Sequence, residues 1–308
     1  MEKHSKIFVA GHRGLVGSAI VRRLQDYGYS NIVTVSRDQL DLTKQPDVEQ
    51  WFDVQRPDYV FLAAAKVNGI GSDLYGDIIL ENLQIQTNVI DSARRNGCKK
   101  LLFPGSNCAY PKFSRLPITE DQLLDGKLER TSEAYSVAKI AGLKLCEYLN
   151  YQYGFNAITV MPCNIYGPND NYDEAVSHVM AALIKKFVTA TTNNDPTITL
   201  WGDGSALREF LYSDDLADAL ITCMLKHNDP ILVNIASGID IPLKELAELM
   251  KTATGYTGKI VWDTTKPTGT PKKGLEISKI LNMGWQPEHS ITEGIALTIE
   301  AYKQTELK

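Results

Sequence analysis

Tyr135 and Lys139 are four residues apart, so on a helix their side chains would share one face. An ammonium beside a phenol favours the phenolate, so we expect the pKa of Tyr135 to be lowered enough for proton exchange near neutrality. Ser106 follows an apolar run through Pro104 and Gly105, and its hydroxyl could hydrogen-bond a carbonyl oxygen on which negative charge develops. These side chains together predict proton transfer to a carbonyl group during its reduction.

A glycine-rich segment follows the first apolar run of the chain, at residues 7–10. Its glycines recur every third residue, just before a segment with helical spacing of apolar residues, which permits a tight turn and a close approach of backbone to a pyrophosphate. The N-terminus of that helix would add positive potential for the phosphates. The pattern predicts a dinucleotide site, with a plain turn as the alternative. The residues expected to contact the dinucleotide here are Gly11, His12, Arg13, Gly14, Leu15, Val16 and Gly17.

The second apolar run predicts which dinucleotide binds. It ends in Ser36 and Arg37, where NAD enzymes usually carry an acidic residue that holds the ribose 2′-hydroxyl. Two arginines, Arg37 and Arg13, suit a 2′-phosphate, so we expect NADP (NADPH) rather than NADH. The alternative is that both are solvated surface arginines. Asp41 and Leu42 could border the adenine, although Asp41 could equally cap the next helix.

The apolar runs alternate with segments of helical periodicity through the first half of the chain. This alternation predicts an α/β fold with a Rossmann-type doubly wound parallel sheet and a smaller C-terminal substrate-binding lobe. We expect residues 1–168, with a late return near 208–237, to form the NADP-binding domain, and residues 169–207 and 238–308 to form the lobe. The expected strands are 7–10, 32–35, 59–63, 101–103, 158–161 and 231–236; 191–196 is expected to be a polar loop, and short helices to follow Gly238.

Composition excludes several classes of protein. The 308 residues include 32 basic and 37 acidic side chains and carry a net charge of −5, which gives no basic footprint for nucleic acid. No apolar run approaches the roughly 20 residues that cross a bilayer, so we expect no membrane partner. The five cysteines and five histidines show no CxxC, HxH or HExxH spacing, so neither a disulfide framework nor a metal site is expected. The first residues lack the pattern of a signal peptide, so we expect a cytoplasmic protein.

Several longer stretches carry a resemblance to known proteins. The glycine loop, Ser106, the Tyr135–Lys139 pair and the segment 162–168 together resemble the extended short-chain dehydrogenase/reductases that act on nucleotide sugars. Within that family, nearly the whole chain is similar to the GDP-L-fucose synthases. The stretches that carry this narrower resemblance are 10–14, 63–67, 106–108, 134–142, 177–179, 201–202 and 208–210.

The resemblance implies a reaction and residues that perform it. The reaction is the conversion of GDP-4-keto-6-deoxy-D-mannose to GDP-L-fucose, by epimerisation at C3 and C5 and NADPH-dependent reduction at C4. Cys108 and His178 match the groups that remove and return the protons next to the ketone, since a thiol and an imidazole titrate close enough to neutrality. Without the resemblance, a small buried hydrophobe and a structural histidine are the ordinary interpretations of these two residues.

The resemblance also implies binding residues. Lys139 would bond the nicotinamide ribose, and Tyr135 would donate the proton at C4. The remaining cofactor contacts implied are Ala63, Ala65, Pro104, Gly105, Ser106, Asn107, Tyr135, Lys139, Pro162, Cys163, Asn164, Ile165 and His178, and the substrate contacts are Lys186, Trp201, Arg208 and Glu276.

Three of the substrate residues have ordinary alternatives. Lys186 could be a solvated helix lysine, Trp201 could fill the core, and Arg208 could form a surface pair with Glu209. Asn107 stands where many family members have serine, and Asn68 stands where they have glycine. Both flank the expected sugar pocket, so the same chemistry, or C4 reduction alone, on a dideoxy or heptose GDP-4-keto sugar stays open.

Two further expectations concern class and assembly. A dinucleotide-sensing regulator without catalysis is the alternative from another class, and the presence of both Tyr135 and Lys139 disfavours it. Relatives commonly pair through two helices per subunit, and the helices near 79–93 and 137–149 are apolar enough for this. We therefore expect a homodimer.

Overall fold

The computed structural model describes residues 1–67, 75–173, 177–266 and 271–306. Asn68, which stands where many family members have glycine, therefore lies outside the described residues. The strands are β1 (Ile7–Ala10), β2 (Ile32–Val33), β3 (Tyr59–Leu62), β4 (Lys100–Pro104), β5 (Ala157–Pro162), β6 (Asn164–Tyr166), β7 (Thr197–Trp201), β8 (Leu207–Tyr212), β9 (Val233–Ile235), β10 (Asp240–Pro242) and β11 (Lys259–Asp263). The helices are α1 (Leu15–Asp26), α2 (Gln45–Gln55), α3 (Tyr75–Arg95), α4 (Glu133–Tyr153), α5 (Val179–Asn193), α6 (Ser213–Lys226), α7 (Leu243–Thr254), α8 (Ser278–Asn282) and α9 (Ile291–Glu306).

A six-stranded parallel sheet forms the centre of the fold, in the order β2-β1-β3-β4-β5-β9. Strands β1, β4 and β5 are buried throughout, and β3 is buried except at its first residue, as continuous apolar runs covered by helices on both faces require. The predicted Rossmann-type α/β class is confirmed. The chain passes from β1 to β2 on one side and then to β3 on the other, so a crevice opens at the carboxyl ends of β1 and β3.

Two small sheets and a second hydrophobic cluster lie beyond the central sheet. β10, β8 and β6 form one small sheet, and β11 pairs with β7 in the other. The second cluster is built from α5, α7, α9 and these strands, and it includes Phe187, Leu246 and Ile299. The boundaries proposed between a dinucleotide-binding domain and a substrate-binding lobe stay a prediction.

Several expected boundaries differ from those observed. The second strand ends at Val33, two residues earlier than expected. Helix α5 extends to Asn193, so the first half of the segment 191–196, which was expected to be a polar loop, belongs to the helix. The hydroxyls of Thr191 and Thr192 bond the carbonyls one turn back, which keeps these polar residues within the helix. Beyond Gly238 the helices are not all short, since α7 has 12 residues and α9 has 16.

Helix α4 lies very close to the sheet because a glycine faces it. A Cβ on Gly142 would lie 2.5 Å from the Phe103 ring on β4, so no larger residue fits without a shift. The same glycine faces Gln86 of α3, and α4 is fixed to α3 because the buried Gln86 Nε2 donates to the Ala138 carbonyl at 2.7 Å. These contacts set the height of α4 above the end of β4.

A buried polar network holds the segment that follows β4. Asn234 on β9 has no exposed surface; its side-chain oxygen accepts from the Tyr110 hydroxyl at 2.6 Å, and its amide nitrogen donates to the Ile118 carbonyl at 2.9 Å. The Asn234 backbone N–H donates to Glu120, which also pairs with Lys279 at 3.1 Å. Every polar atom of the Asn234 amide is thus used to fix residues 110–120 against the sheet.

Glu209 joins β8 to two neighbouring segments and makes stability depend on pH. It is 2% exposed, and its oxygens accept from the backbone N–H groups of Gly238 and Leu275 at 2.7 and 3.1 Å. Burial raises its pKa from 4.5 to about 7. Below pH 4.5 both the folded and the unfolded chain bind this proton; between 4.5 and 7 only the folded chain does.

The free energy of unfolding should therefore fall as pH rises from 4.5 to about 7, by on the order of 3 kcal/mol from this group. The measurement is urea unfolding at pH 5 and pH 8, comparing the native chain with Glu209→Gln, which keeps the shape and cannot ionise. The variant should lose this part of the pH dependence. The same pH dependence in both proteins would contradict the assignment.

Candidate active site

The glycine loop after β1 is as tight as its sequence predicts. Gly11 has φ +84°, and a Cβ there would lie 2.6 Å from the backbone nitrogen of Ala64. A Cβ on Gly17 would lie 2.1 Å from the Gly11 carbonyl oxygen, so α1 packs directly on the turn. Gly14 is exposed, and a Cβ there would meet only the Gly11 carbonyl oxygen, at an ordinary 3.6 Å, which leaves the outer side of the backbone open to a ligand.

The start of α1 has the features of a phosphate site. Its N-cap is Gly14, which has no side chain to cap the helix, and the first turn carries no acidic residue. The free N–H groups of Leu15 and Val16 and the helix dipole therefore suit an anion. His12 Nδ1 is buried without a hydrogen-bond partner among the described residues, and burial followed by the charge of Arg13 lowers its pKa. The residues present fit a dinucleotide pyrophosphate.

Arg37 lies beyond the end of β2 with its side chain 72% exposed, and its Nη2 is 3.5 Å from Glu81 on α3. It is therefore exposed but not unpaired. Arg13 is exposed on the glycine loop. Asp41 does not cap α2, whose N-cap is Lys44; its carboxylate accepts from Thr43 N–H and Oγ1 at 3.0 and 2.8 Å. The helix-cap alternative is wrong, because this short turn ends before the helix begins.

The residues after β3 line the other side of the crevice. Ala63 and Ala65 are half-buried, and the Ala63 N–H donates to the Ala10 carbonyl at 3.0 Å. Small residues suit this segment, because its backbone at Ala64 packs closely against Gly11. Leu42 is also half-buried, and its carbonyl accepts from Asn88 Nδ2 at 2.9 Å.

Ser106 and Cys108 share one short turn at the carboxyl end of β4. The Gly105 N–H donates to β5 at 2.8 Å, and the 3-10 helix Asn107–Ala109 begins directly after Ser106. Ser106 Oγ accepts from the Cys108 N–H at 3.5 Å, so its hydroxyl hydrogen is free to be donated to a ligand oxygen. Cys108 is partly exposed, unlike the other four cysteines, which are buried.

Helix α4 brings its catalytic candidates to this turn. Ser136 Oγ donates to the Cys108 carbonyl at 3.0 Å, and Lys139 Nζ donates to the Pro104 carbonyl at 2.9 Å. Lys139 Nζ also lies 5.7 Å from the centre of the Tyr135 ring. The structure thus brings Ser106, Cys108, Tyr135 and Lys139 together. Sequence reasoning missed Ser136, because nothing in the YxxxK pattern marks an intervening serine as an anchor.

The expected lowering of the Tyr135 pKa is wrong. Burial, together with the nearby Cys108, raises the pKa of this phenol instead. Burial also lowers the pKa of Lys139 to about 7, so the lysine is a weaker source of positive charge than its sequence position suggests. The phenol therefore stays protonated near neutrality and is poised to donate a proton rather than to accept one.

Residues 162–165 lead from the carboxyl end of β5 into β6. Pro162 ends β5, and the Cys163 N–H donates to the Ile235 carbonyl at 2.9 Å. Burial raises the pKa of the Cys163 thiol well above its ordinary value, so this cysteine is inert as an acid. Asn164 Nδ2 donates to the Glu209 carbonyl at 2.9 Å, and Ile165 is half-buried in β6.

His178 is the residue before α5, with its side chain exposed. Protein around it still excludes enough solvent to lower the pKa of the imidazole, as expected for a residue that lines a cleft. A neutral imidazole can accept a proton.

The four substrate candidates occupy β7, α5, β8 and the segment before α8. Lys186 on α5 is exposed, and its Nζ donates to the Thr199 carbonyl on β7 at 2.9 Å. Trp201 ends the same strand and is 63% exposed, so the alternative that it fills the core is wrong. These two side chains thus lie on one surface.

Arg208 lies on β8, and Glu276 lies in the segment before α8. Arg208 is half-buried, and burial lowers its pKa. The surface pair with Glu209 is wrong, because Glu209 is buried and bonds backbone N–H groups. Residues 271–276 run beside β8, with the Leu207 N–H bonding the Pro271 carbonyl. Glu276 Oε1 accepts from the Ser278 hydroxyl and, at 2.9 Å, from the Ser278 N–H, and these two bonds lower its pKa.

In residues 1–67, 75–173, 177–266 and 271–306, no three histidine, cysteine or acidic side chains are grouped as a metal ion would need. None of the helices within those ranges has the length and hydropathy to cross a membrane.

The chain is similar over nearly its whole length to several known proteins. GDP-L-fucose synthase 1 of Arabidopsis thaliana is 51% identical over 303 residues, 98% of this chain and 94% of the relative. GDP-L-fucose synthase of Escherichia coli K12 is 43% identical over 312 residues, covering 98% and 97%. The solved structure of a GDP-mannoheptose C4 reductase from Campylobacter jejuni with NADP bound is 36% identical, with a TM-score of 0.90 over 98% of this chain and 99% of that one.

The model of the NAD dependent epimerase/dehydratase family matches residues 7–236, from the start of β1 to the residue after β9. That range contains the glycine loop, the Ser106 turn and the Tyr135–Lys139 pair. The chain therefore belongs to the NAD dependent epimerase/dehydratase family, and the resemblance to the GDP-L-fucose synthases among the extended short-chain dehydrogenase/reductases is confirmed.

Proposed function

We propose that this chain is an NADPH-dependent 3,5-epimerase and 4-reductase that converts GDP-4-keto-6-deoxy-D-mannose to GDP-L-fucose. The observation that carries the proposal is the cluster at the end of β4, where the partly exposed thiol of Cys108 shares a turn with Ser106 and is held against the helix that carries Tyr135 and Lys139. A reductase needs the phenol, whereas epimerisation needs a further group that exchanges protons. Relatives named for this reaction are 43 and 51% identical over nearly the full chain.

Epimerisation uses the acidity of the hydrogens on the carbons that flank the C4 ketone. Removing one of them gives an enolate with its charge on O4, and the free hydroxyl hydrogens of Ser106 and Tyr135 stabilise that oxygen. Cys108 and His178 remove and return the protons at C3 and C5, which inverts each centre when the proton returns to the opposite face. Ser136 holds the Cys108 turn against α4 and is a positioning residue.

Reduction follows at C4. Bound NADPH supplies the hydride, and Tyr135 donates its phenol proton to O4. Lys139 uses one N–H on the Pro104 carbonyl and keeps its remaining hydrogens for the ribose hydroxyls of the cofactor. The remaining residues implied by the resemblance, from Ala63 to Ile165, form the walls of the cofactor crevice.

The nucleotide of the substrate binds on the smaller sheets. Lys186 and Arg208 offer cations to its diphosphate, and the exposed ring of Trp201 offers a flat apolar face. Glu276 completes this set from the segment beside β8. Lys186, Trp201 and Glu276 belong to residues 169–207 and 238–308, which thus act as the substrate-binding lobe, and Arg208 adds a contact from the start of the late return to the NADP-binding domain.

The test is a reaction with purified protein, NADPH and GDP-4-keto-6-deoxy-D-mannose in deuterated water, with the product identified by NMR. GDP-L-fucose with deuterium at C3 and C5 is the expected product. A product in the manno configuration without deuterium would show that the chain reduces C4 and does not epimerise C3 or C5. NADPH binding without turnover would indicate a different GDP-4-keto sugar.

A heptose or dideoxy GDP-4-keto sugar is the second candidate substrate. Asn107 is buried beside Cys108, whose Sγ lies 3.9 Å from the Asn107 side-chain oxygen, so the sugar pocket departs here from the serine of many family members. A heptose reductase shares 36% identity with the chain. Faster turnover of a heptose substrate than of the 6-deoxy sugar would favour this candidate.

Arg37→Asp should weaken NADPH far more than NADH. The guanidinium is the exposed cation after β2, and its charge-assisted bonds to a 2′-phosphate would be replaced by repulsion. We expect the NADPH dissociation constant to rise roughly 10- to 100-fold in a fluorescence titration, and that of NADH to change by less than about threefold. Equal losses for both would place the 2′-phosphate elsewhere.

The chain also assembles as a homodimer through α3 and α4. These helices pack together and present large exposed apolar side chains, among them Leu80, Val137, Tyr148 and Tyr151. Burial of such a surface against its copy stabilises a pair. Light scattering should give twice the chain mass of 34.2 kDa, and a single monomeric species would contradict the dimer.

A further inference from the structure

Glu81 on α3 connects the loops that leave the sheet on either side of β1. Arg37 follows β2, which ends at Val33, and Lys66 follows β3, which ends at Leu62. Arg37 Nη2 is 3.5 Å from one oxygen of the Glu81 carboxylate, and Lys66 Nζ contacts the other. Because β2 and β3 are the two neighbours of β1, this triad lies at the carboxyl edge beside the glycine loop.

One side of the triad is fixed by a buried amide. Asn82, next to Glu81, is 3% exposed, and it grips the Lys66 backbone from both sides: its Nδ2 donates to the Lys66 carbonyl at 2.8 Å, and its Oδ1 accepts from the Lys66 N–H at 3.0 Å. Asn82 Nδ2 also bonds the Ile78 carbonyl at 2.7 Å. Lys66 and Glu81 are therefore held as neighbours by the fold.

The other side of the triad is loose. The Arg37 side chain is 72% exposed, whereas those of Lys66 and Glu81 are 30% and 22% exposed. A pair that is 3.5 Å long and exposed on one side contributes little binding energy, so Arg37 can exchange its partner easily. A phosphate group on a ribose is a stronger partner than a carboxylate already shared with a lysine.

We infer that Glu81 is a specificity-determining residue for the cofactor, because its carboxylate limits how strongly the chain prefers a nucleotide with a 2′-phosphate. This inference rests on the proposed use of NADPH. Arg37 leaves Glu81 for the phosphate, and the Glu81 charge stays nearby because Asn82 holds its other partner in place. The triad has a net charge of +1, and without the carboxylate charge it would have +2.

The direct test is Glu81→Gln, which removes the charge and keeps the side-chain length. NADPH and NADH are titrated separately by nucleotide fluorescence, without substrate. We expect the NADPH dissociation constant to fall on the order of fivefold, as the loss of one repulsion across several ångströms in water predicts, and that of NADH to stay unchanged. The gain should shrink at high salt, because the group is close to solvent.

A second variant has the opposite expected sign. Lys66→Gln leaves the Glu81 carboxylate with Arg37 as its partner, so NADPH should bind more weakly while NADH is unaffected. Glu49→Gln is the matched control: Glu49 lies on α2, 3.8 Å from Arg95 at the far end of α3, and its removal should change neither constant.

The outcomes separate this inference from the proposed function. A native chain that prefers NADPH, with an unchanged preference in Glu81→Gln, would overturn the role of Glu81 alone. Equal changes for both nucleotides, or weaker NADPH binding in both variants, would also overturn it by making Glu81 a purely structural anchor. A native chain with no preference for NADPH would overturn the proposed cofactor and this inference together.

Discussion

Tyr135→Phe should lower kcat for reduction by about 10²- to 10⁴-fold while NADPH binding stays unchanged. The variant loses only the hydroxyl, and that hydroxyl is the group whose pKa burial and Cys108 raise. Because the phenol is protonated near neutrality, its contribution is to donate a proton to O4 as charge develops there. The measurement is steady-state oxidation of NADPH with the GDP-4-keto sugar, together with a fluorescence titration of NADPH.

The control lies on the same helix. Tyr153→Phe alters the last residue of α4, a tyrosine that is 55% exposed and is not one of the side chains proposed for the dimer, and it should leave kcat unchanged. Because Ser136 and Lys139 hold the start of α4 through backbone carbonyls, the Tyr135→Phe variant should keep its fold. Retention of more than about a tenth of native kcat by Tyr135→Phe would show that another group donates the proton.

The parts of the site that follow from backbone geometry could be predicted from sequence. Gly11 and Gly17 are required because a Cβ at either position would collide with backbone, and such a requirement shows directly in residue type and spacing. The parallel sheet was also predictable, because strands buried on both faces appear in the sequence as continuous apolar runs. The ends of helices were less predictable, because polar residues such as Thr191 and Thr192 can stay in a helix when their hydroxyls donate to backbone carbonyls one turn back.

The parts that depend on distant partners could not be predicted. The pKa of Tyr135 is governed by burial, and YxxxK spacing describes only the neighbour four residues away. Asn234 lies more than a hundred positions from Tyr110 and Ile118, yet it fixes the segment after Cys108 to the sheet. The pairing of Arg37 with Glu81 likewise joins a loop to a helix, and a sequence pattern at either place names only one partner.

Cys108→Ala should abolish the exchange of deuterium into the sugar at C3 and C5, or at one of them, and lower formation of GDP-L-fucose by about 10²- to 10⁴-fold. The thiol is the partly exposed one of the five, and its turn is fixed by Ser136 and by Ser106. Reduction by Tyr135 does not require this thiol, so a product with an uninverted centre should accumulate. NMR of the sugar in deuterated water measures both effects in one sample.

Cys98→Ala is the matched control, because Cys98 precedes β4 at the amino edge of the sheet, whereas Cys108 follows it at the carboxyl edge. Burial raises the pKa of Cys98 to about 12, and its thiol bonds the carbonyls of Asp58 and Lys100. It cannot exchange protons with a ligand, so its removal should leave deuterium exchange at the native rate. Native exchange in Cys108→Ala would instead assign the proton transfer at both carbons to other groups, with His178 the first to be replaced. Exchange lost at one carbon alone would divide the two epimerisations between Cys108 and His178, because each group then serves a different carbon of the same enolate.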